Sequence, residues 1–268
     1  MSEASPDEIW EGGLDEGERR LTRGNAALGA TGFAGGADVF LGLVAVIVTT
    51  GALLSVMPDE PAHVIGSATF GLALVLITLG RAELFTENFL IPVSAVYAGR
   101  APLRALLSMW GITFLFNGLG LLLFAAIFSH AGVLEKSALE AAGTLADTQA
   151  DRDVVPALLS AIGAGTVMTL FTWVAAATAS TSARMIVALG VGFLLLAPSL
   201  NHAVVSFGEI LFGLLADTAD AGWGDLARNT SIAVVGNLIG GVGLVFATRL
   251  AQVRGEPDSD SGASSRGR

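Results

Sequence analysis

The sequence predicts an all-α membrane protein with six transmembrane spans in two inverted halves of three, the second and fifth spans interrupted. Three observations carry that prediction. Of 268 residues, 53% are hydrophobic and only 14% charged, with a mean hydropathy of +0.68, against about 25% charged in ordinary soluble domains. Six apolar units near span length run approximately over 31–55, 63–98, 103–129, 156–181, 184–215 and 230–252. The last span of each half echoes the other: "WGITFLFNGLGLLLFA" (Trp110–Ala125) is similar to "SIAVVGNLIGGVGLVFA" (Ser231–Ala247). Three spans per half is an odd number, so the halves run in opposite senses across the bilayer, and paired breaks at corresponding positions point to a pathway near the midplane.

Taken in order, residues 1–30 form an acidic cytoplasmic N-terminal segment with no basic-then-apolar signal peptide. Its stretch "PDEIWEGGLDEGERRLTRG" reads either as a short interfacial helix with Ile9, Trp10, Leu14 and Leu21 on its apolar side or as a disordered tail. Residues 31–252 form the six-span transport domain. The first span carries Asp38 among Gly32, Gly35 and Gly36, a pattern of close helix packing with Asp38 as a structural partner. The second is too long and is interrupted by "GRAELFTENF" (Gly80–Phe89), which sets Arg81, Glu83 and Glu87 at bilayer depth. A charge there costs on the order of 2.5–3.5 kcal/mol on translocon scales, so the backbone is expected to break and line a cavity or protein interior. The third span holds Asn117, the fourth Thr172, and the last Asn237. The fifth is broken by "LAPSLNHAVVSFGEI" (Leu196–Ile210), where Pro198 disrupts the helix and Ser199, Asn201, His202, Ser206 and Glu209 are polar. Residues 253–268 read as a disordered cytoplasmic tail.

Charge sets orientation and excludes partners. One side collects Arg19, Arg20, Arg23, Arg100, Arg104, Arg184, Arg249 and Arg254, the other only Lys136, Arg152 and Arg228. Both termini are therefore expected in the cytoplasm, with the chain a multi-pass protein of the cell membrane. The net charge of −10 argues against nucleic acid. No cysteine is present, which removes disulfides and thiolate metal sites. No metal cluster or phosphate loop is visible, and "GNLIGG" lies inside an apolar span, so no cofactor, metal or enzymatic activity is expected. His202 is the only histidine deep within a span; beside a helix break it reads as a pathway residue able to exchange protons, the other reading being a structural hydrogen bond between helices. Arg81 is expected to pair with Glu83, Glu87, Glu209 or Asp38, pinning the broken helix to its neighbours or, alternatively, attracting anions.

The combination of "ELFTEN" (Glu83–Asn88), "WGITFLFNGLG", "NHAVV" in an interrupted span and "GNLIGG" (Gly236–Gly241) resembles the formate/nitrite transporter family over most of residues 30–252. "HAVVSFGEIL" resembles its YfdC-like branch in particular. The resemblance implies an aquaporin-like inverted repeat of six spans, a homopentamer with one pore per protomer in the lipid bilayer, apolar constrictions flanking a central histidine, and small monovalent anions of weak acids as substrates. It implies that Leu84, Phe85 and Thr86 form the loop of the second span, with Leu84 and Phe85 as an apolar gate. Thr86 would hydrogen-bond the central histidine, His202, or the substrate, and Asn237 is the asparagine of the last span. Departures stand at Asn201, where the family commonly has glutamate, at Ser206 and Thr172, where asparagine is usual, and in the fourth span, which has no lysine. Arg81 and Glu209 are extra ionisable groups. The resulting expectation is a channel or proton-linked transporter of small weak-acid anions or their neutral acids. The alternatives are a channel for small neutral solutes and a non-conducting membrane scaffold on the same fold.

Overall fold

In the computed structural model, which describes residues 4–255, the N-terminal segment is a helix, α1 (Pro6–Leu21). Ser5 caps it: its hydroxyl accepts from Glu8 N–H while the Glu8 carboxylate accepts from Ser5 N–H, and Pro6 occupies the first turn. Trp10, Leu14 and Leu21 are buried and Ile9 is half-buried. Their face lies not on a lipid surface but on α5 and the C-terminal helix, with Trp10 packed near Phe246.

Among the described residues, five helical stretches are long and apolar enough to cross a membrane. They are α2 (Asn25–Leu53); the run Asp59–Gly80, made of α3 (Asp59–Ser67), a 3-10 turn and α4 (Gly71–Gly80); α6 (Leu103–Phe128); α8 (Val154–Ala176); and the run Trp223–Gly255. The last begins as α11 (Trp223–Leu238), passes through a π-helical stretch at Ile239–Phe246 and ends as α12 (Ala247–Gly255). The predicted tail beyond Gly255 lies outside the described residues. The second apolar unit continues after its break as a 3-10 segment, Phe85–Phe89, and the short α5 (Ile91–Tyr97). The fifth folds as two shorter helices, α9 (Thr181–Leu196) and α10 (Val205–Leu215). α7 (Lys136–Ala150) lies at the end of the molecule opposite α1, against the C-terminal end of α2, where Gly51 meets the Ser137 carbonyl.

Close packing is enforced by small residues at two corresponding places. A Cβ on Gly36 of α2 would collide with the Asn117 carbonyl of α6, and one on Gly165 of α8 with the Asn237 carbonyl of the last helix. Both asparagine-bearing helices are thereby held against their partners at the depth of the breaks, as small residues permit in apolar bundles.

Candidate functional site: two matched breaks and a buried histidine

An open backbone in an apolar interior must have each N–H and C=O satisfied. The first break meets that demand with side chains of distant helices. Arg81 ends α4 in the left-handed region (φ 57°). Ala82 N–H then donates to Ile77 O (3.1 Å), Glu83 N–H to Thr31 O (3.1 Å) and Phe85 N–H to Asn117 Oδ1 (2.9 Å). Asn117 Nδ2 donates to Gly32 O (2.7 Å) and Glu83 O (2.9 Å), so its amide is fully used.

The second break repeats this pattern. Ser199 is left-handed (φ 51°) where Arg81 is. Leu200 N–H donates to Leu195 O (2.8 Å), Asn201 N–H to Ser160 Oγ (3.0 Å) and Ala203 N–H to Asn237 Oδ1 (2.9 Å). Asn237 Nδ2 donates to Ala161 O (2.8 Å) and Asn201 O (3.0 Å). Glu83 thus corresponds to Asn201 and Leu84 to His202. Asn237 orients the segment that bears the histidine; it does not touch the ring.

The two breaks meet at one hydrogen bond. His202 Nε2 lies 2.7 Å from Thr86 Oγ1, and both residues are 0% exposed. Val205 N–H donates to His202 Nδ1 (3.2 Å), so Nδ1 is an acceptor and Nε2 carries the hydrogen that Thr86 Oγ1 accepts. The hydroxyl hydrogen of Thr86 is not spent on the ring. His202 N–H is capped by Ser206 Oγ (3.1 Å). Leu84 and Phe85 are buried beside the pair, and Phe85 makes edge contacts with Phe89, Trp110 and Phe114 at centroid distances of 4.9, 6.2 and 5.2 Å. This is an apolar aromatic plug next to one polar pair. The Trp110 indole N–H donates to Asn88 O (3.0 Å), which fixes the 3-10 segment.

The remaining predicted residues fall elsewhere. Asn201 and Asn229 exchange amide hydrogen bonds (2.9 and 3.1 Å), so Asn201 holds the last helix rather than facing the ring. The Thr172 hydroxyl donates to Met168 O, and Thr172 lines a cleft of about 740 Å³ beneath α1 together with Arg20, Arg23, Arg81, Glu83 and Glu87. The expected pairing of Arg81 does not occur. Glu83 pairs with Arg23 (2.7 Å), lies 3.9 Å from Arg20 and accepts from Thr31 Oγ1 (3.3 Å), whereas the left-handed turn leaves Arg81 exposed at the cleft. The arginines that hold Glu83 come from the N-terminal segment, a partnership separated by 60 residues that no local pattern announces. Glu209 lies one turn past Ser206 and is 4% exposed, beside Gln149 of α7.

The sequence matches a known family, and the fold recurs in solved structures. The formate/nitrite transporter family model matches residues 7–251. The transporter YrhG of Bacillus subtilis (strain 168) is 30% identical over 92% of this chain and 93% of its own length. The formate channel BtFdhC of Bacillus thuringiensis is 30% identical over 91% and 94%. Among solved structures, a channel described as an FNT family ion channel superposes with a TM-score of 0.77 at 20% identity, covering 93% of this chain and 99% of that one. A pentameric formate channel with formate bound gives 0.71 at 16% identity, over 86% and 97%. With its apolar helices and a match running nearly end to end, the chain is an integral membrane protein that belongs to the formate/nitrite transporter family.

Proposed function

We propose that this protein is a channel for small monovalent anions of weak acids, of the formate and nitrite kind, proton-linked and passing cargo at the Thr86–His202 pair. The observation that carries the reading is that pair itself: a single polar contact at the junction of two helix breaks, bordered by Leu84 and Phe85. A formate channel among its relatives supports the cargo class. An anion cannot enter such an apolar constriction without losing most of its solvation, whereas the neutral acid can. Arginines of the cleft, Arg81 first among them, gather the anion from water. At the centre, the hydroxyl hydrogen of Thr86, whose oxygen is held by the Nε2–H of His202, offers a hydrogen bond to a carboxylate or nitrite oxygen. The neutral acid then crosses and ionises again beyond.

The reading includes six spans in a three-plus-three inverted arrangement, in which α9 and α10 together form the fifth. The matched hydrogen bonds at the two breaks support it. It also includes assembly as a homopentamer in the cell membrane, with α1 and both termini on the cytoplasmic side. The exposed apolar face of α6 (Leu115, Leu119, Leu122, Leu123) and the pentameric formate channel of similar fold support the assembly.

Uptake into proteoliposomes is the test, with labelled formate, nitrite, acetate and lactate at acidic and neutral external pH. Flux of at least one anion that rises as external pH falls is expected, because acidification supplies the proton that neutralises the cargo. His202→Phe is expected to abolish most of that rise. Flux of the variant equal to wild type at every pH would defeat the role of the histidine, and no flux of any anion from folded wild-type protein would defeat the transport reading.

A further inference from the structure

The neutral, Nε2–H form of His202 leaves a question about the proton. Its Nδ1 is taken by the Val205 N–H, so the ring as held cannot release its one N–H hydrogen to a passing anion without first gaining another. A donor has to sit elsewhere on the path. His202, Ser206 and Glu209 are spaced to share one face of the helical turn that leads into α10, and the Ser206 N–H to His202 O bond (2.8 Å) shows that the turn is helical from the histidine on.

Glu209 is unlike the other buried carboxylate of the breaks. Glu83 has Arg23 and Thr31 on its oxygens. Glu209 Oε2 has no hydrogen-bond partner, and none of the ion pairs among the described residues includes it. The neighbouring amide of Gln149, 2% exposed, donates its Nε2 to Ser199 O (3.3 Å) and likewise has an Oε1 with no partner. A buried carboxyl oxygen with no donor on it suits its site when it carries a hydrogen of its own. Ser206 and Gln149 neighbour the carboxyl group, but neither is hydrogen-bonded to Oε2, and the charged groups around α10 are engaged elsewhere. Arg152, from the loop after α7, donates to Ser160 Oγ and acts on Glu209 only through space. From α11, Arg228 donates to the Ala150 and Arg152 carbonyls and Asn229 is engaged with Asn201. Asp147 of α7 accepts from Ala221 N–H. The buried faces of α6 and α2 carry no ionisable side chain; Asp38 of α2 is half-buried and makes no ion pair among the described residues.

We propose that Glu209 holds a proton on Oε2, shared with Gln149 Oε1, and donates it to weak-acid anions that enter from the α7 end. The step balances simply. The Glu209 O–H bond breaks, an O–H bond forms on the anion, and the carboxylate left behind faces Arg152 until water from the α7 end returns a proton. The proposal rests on the transport reading above and deepens it: His202 with Thr86 is the hydrogen-bonding station, and Glu209 is the proton donor.

Glu209→Gln tests it, because the new amide still donates to Gln149 Oε1 and keeps the site satisfied while losing the exchangeable proton. Two readouts are made on folded protein in bilayers. Infrared difference spectra at neutral pH are expected to show a protonated-carboxyl C=O band that Glu209→Gln removes and Glu87→Gln does not. Anion flux is expected to fall about 10²-fold, as for loss of a general acid, with its pH dependence flattened. A band unchanged by Glu209→Gln, or a band lost with flux and pH dependence intact, overturns the proposal. Failure of the transport reading looks different: wild-type protein then moves no weak acid at all, whereas failure of this proposal alone leaves wild type and variant transporting alike. Should Glu209→Gln not fold, Gln149→Leu is used. It removes the shared acceptor, and a shift of the same carboxyl band is expected; an unmoved band overturns the pairing.

Discussion

At the scale of single residues, the two asparagines in the third and last spans carry the breaks. Asn117 and Asn237 each use one carbonyl and both amide hydrogens on three backbone groups, two in a break and one in a facing helix. Asn117→Ala and Asn237→Ala are therefore expected to destabilise the fold to a similar degree. Each orphans a buried N–H, for which the penalty is about 1–3 kcal/mol, in addition to two carbonyls. Thermal unfolding in detergent, followed by loss of the assembled form, measures both. A large loss for one and none for the other would contradict the equivalence of the two breaks. The importance of this pair was legible in the sequence as an echo between two spans. The nature of their work was not. The sequence does not say what these asparagines bond, and only the geometry shows both amides turned to the backbone. Asn201 shows the same limit: a polar residue next to the histidine in sequence bonds away from it in space, to Asn229.

At the scale of elements, α1 is a strap across the cleft rather than a tail. It is tied to the first break through Arg23 and Arg20, to the α5–α6 turn through Arg100 with Asp15 and Glu11, and within its own last turn through Glu16. Burial pushes the Glu16 carboxyl up, but hydrogen bonds from Arg19 (2.6 and 2.7 Å) and Arg20 (2.7 Å) outweigh it and hold the group down, from an ordinary 4.5 to about 2. A carboxyl lowered on folding stabilises the folded form above its unfolded value and loses that contribution as pH falls toward the folded one. The strap is thus expected to loosen as pH falls from about 4.5 to about 2. Amide exchange of residues 6–21, corrected for intrinsic rates, should be faster in Glu16→Gln than in wild type at neutral pH, and the difference should close over that interval. A difference that is absent at neutral pH would free α1 from this pair. Long-range ties of this kind could not be read from sequence. Arg81, two residues from Glu83, was the natural partner by proximity, yet the left-handed turn that ends α4 swings it outward and leaves the carboxylate to an arginine on another helix.

At the scale of the whole molecule, the legible part is what composition and period dictate. Apolar runs announced the spans, and Pro198 with its polar neighbours announced the second break, because an apolar environment leaves few ways to satisfy a backbone. The start of α2 at Asn25 escaped notice, and helix and tail stayed open for residues 6–21, since both depend on packing rather than on apolar length. Orientation is the remaining whole-molecule expectation, and the structure sorts the charges as the loop count does. Arg23, Arg100, Arg184 and Arg254 serve the α1 end through Glu83, Asp15, the C-terminal carbonyls of α8 and Tyr97, while Arg152 and Arg228 are held at the α7 end. The basic excess at the α1 end should face the cytoplasm. The cysteine-free chain allows a clean test. Ala98 and Ala131 are exposed residues of the turns that precede and follow α6, so Ala98→Cys and Ala131→Cys place single thiols at opposite ends of one span. A membrane-impermeant maleimide applied to intact cells should label the second and spare the first until the membrane is permeabilised. The reverse pattern would invert the molecule. It would put the arginine-lined cleft outside and make Glu209 a donor to anions leaving the cell rather than entering it.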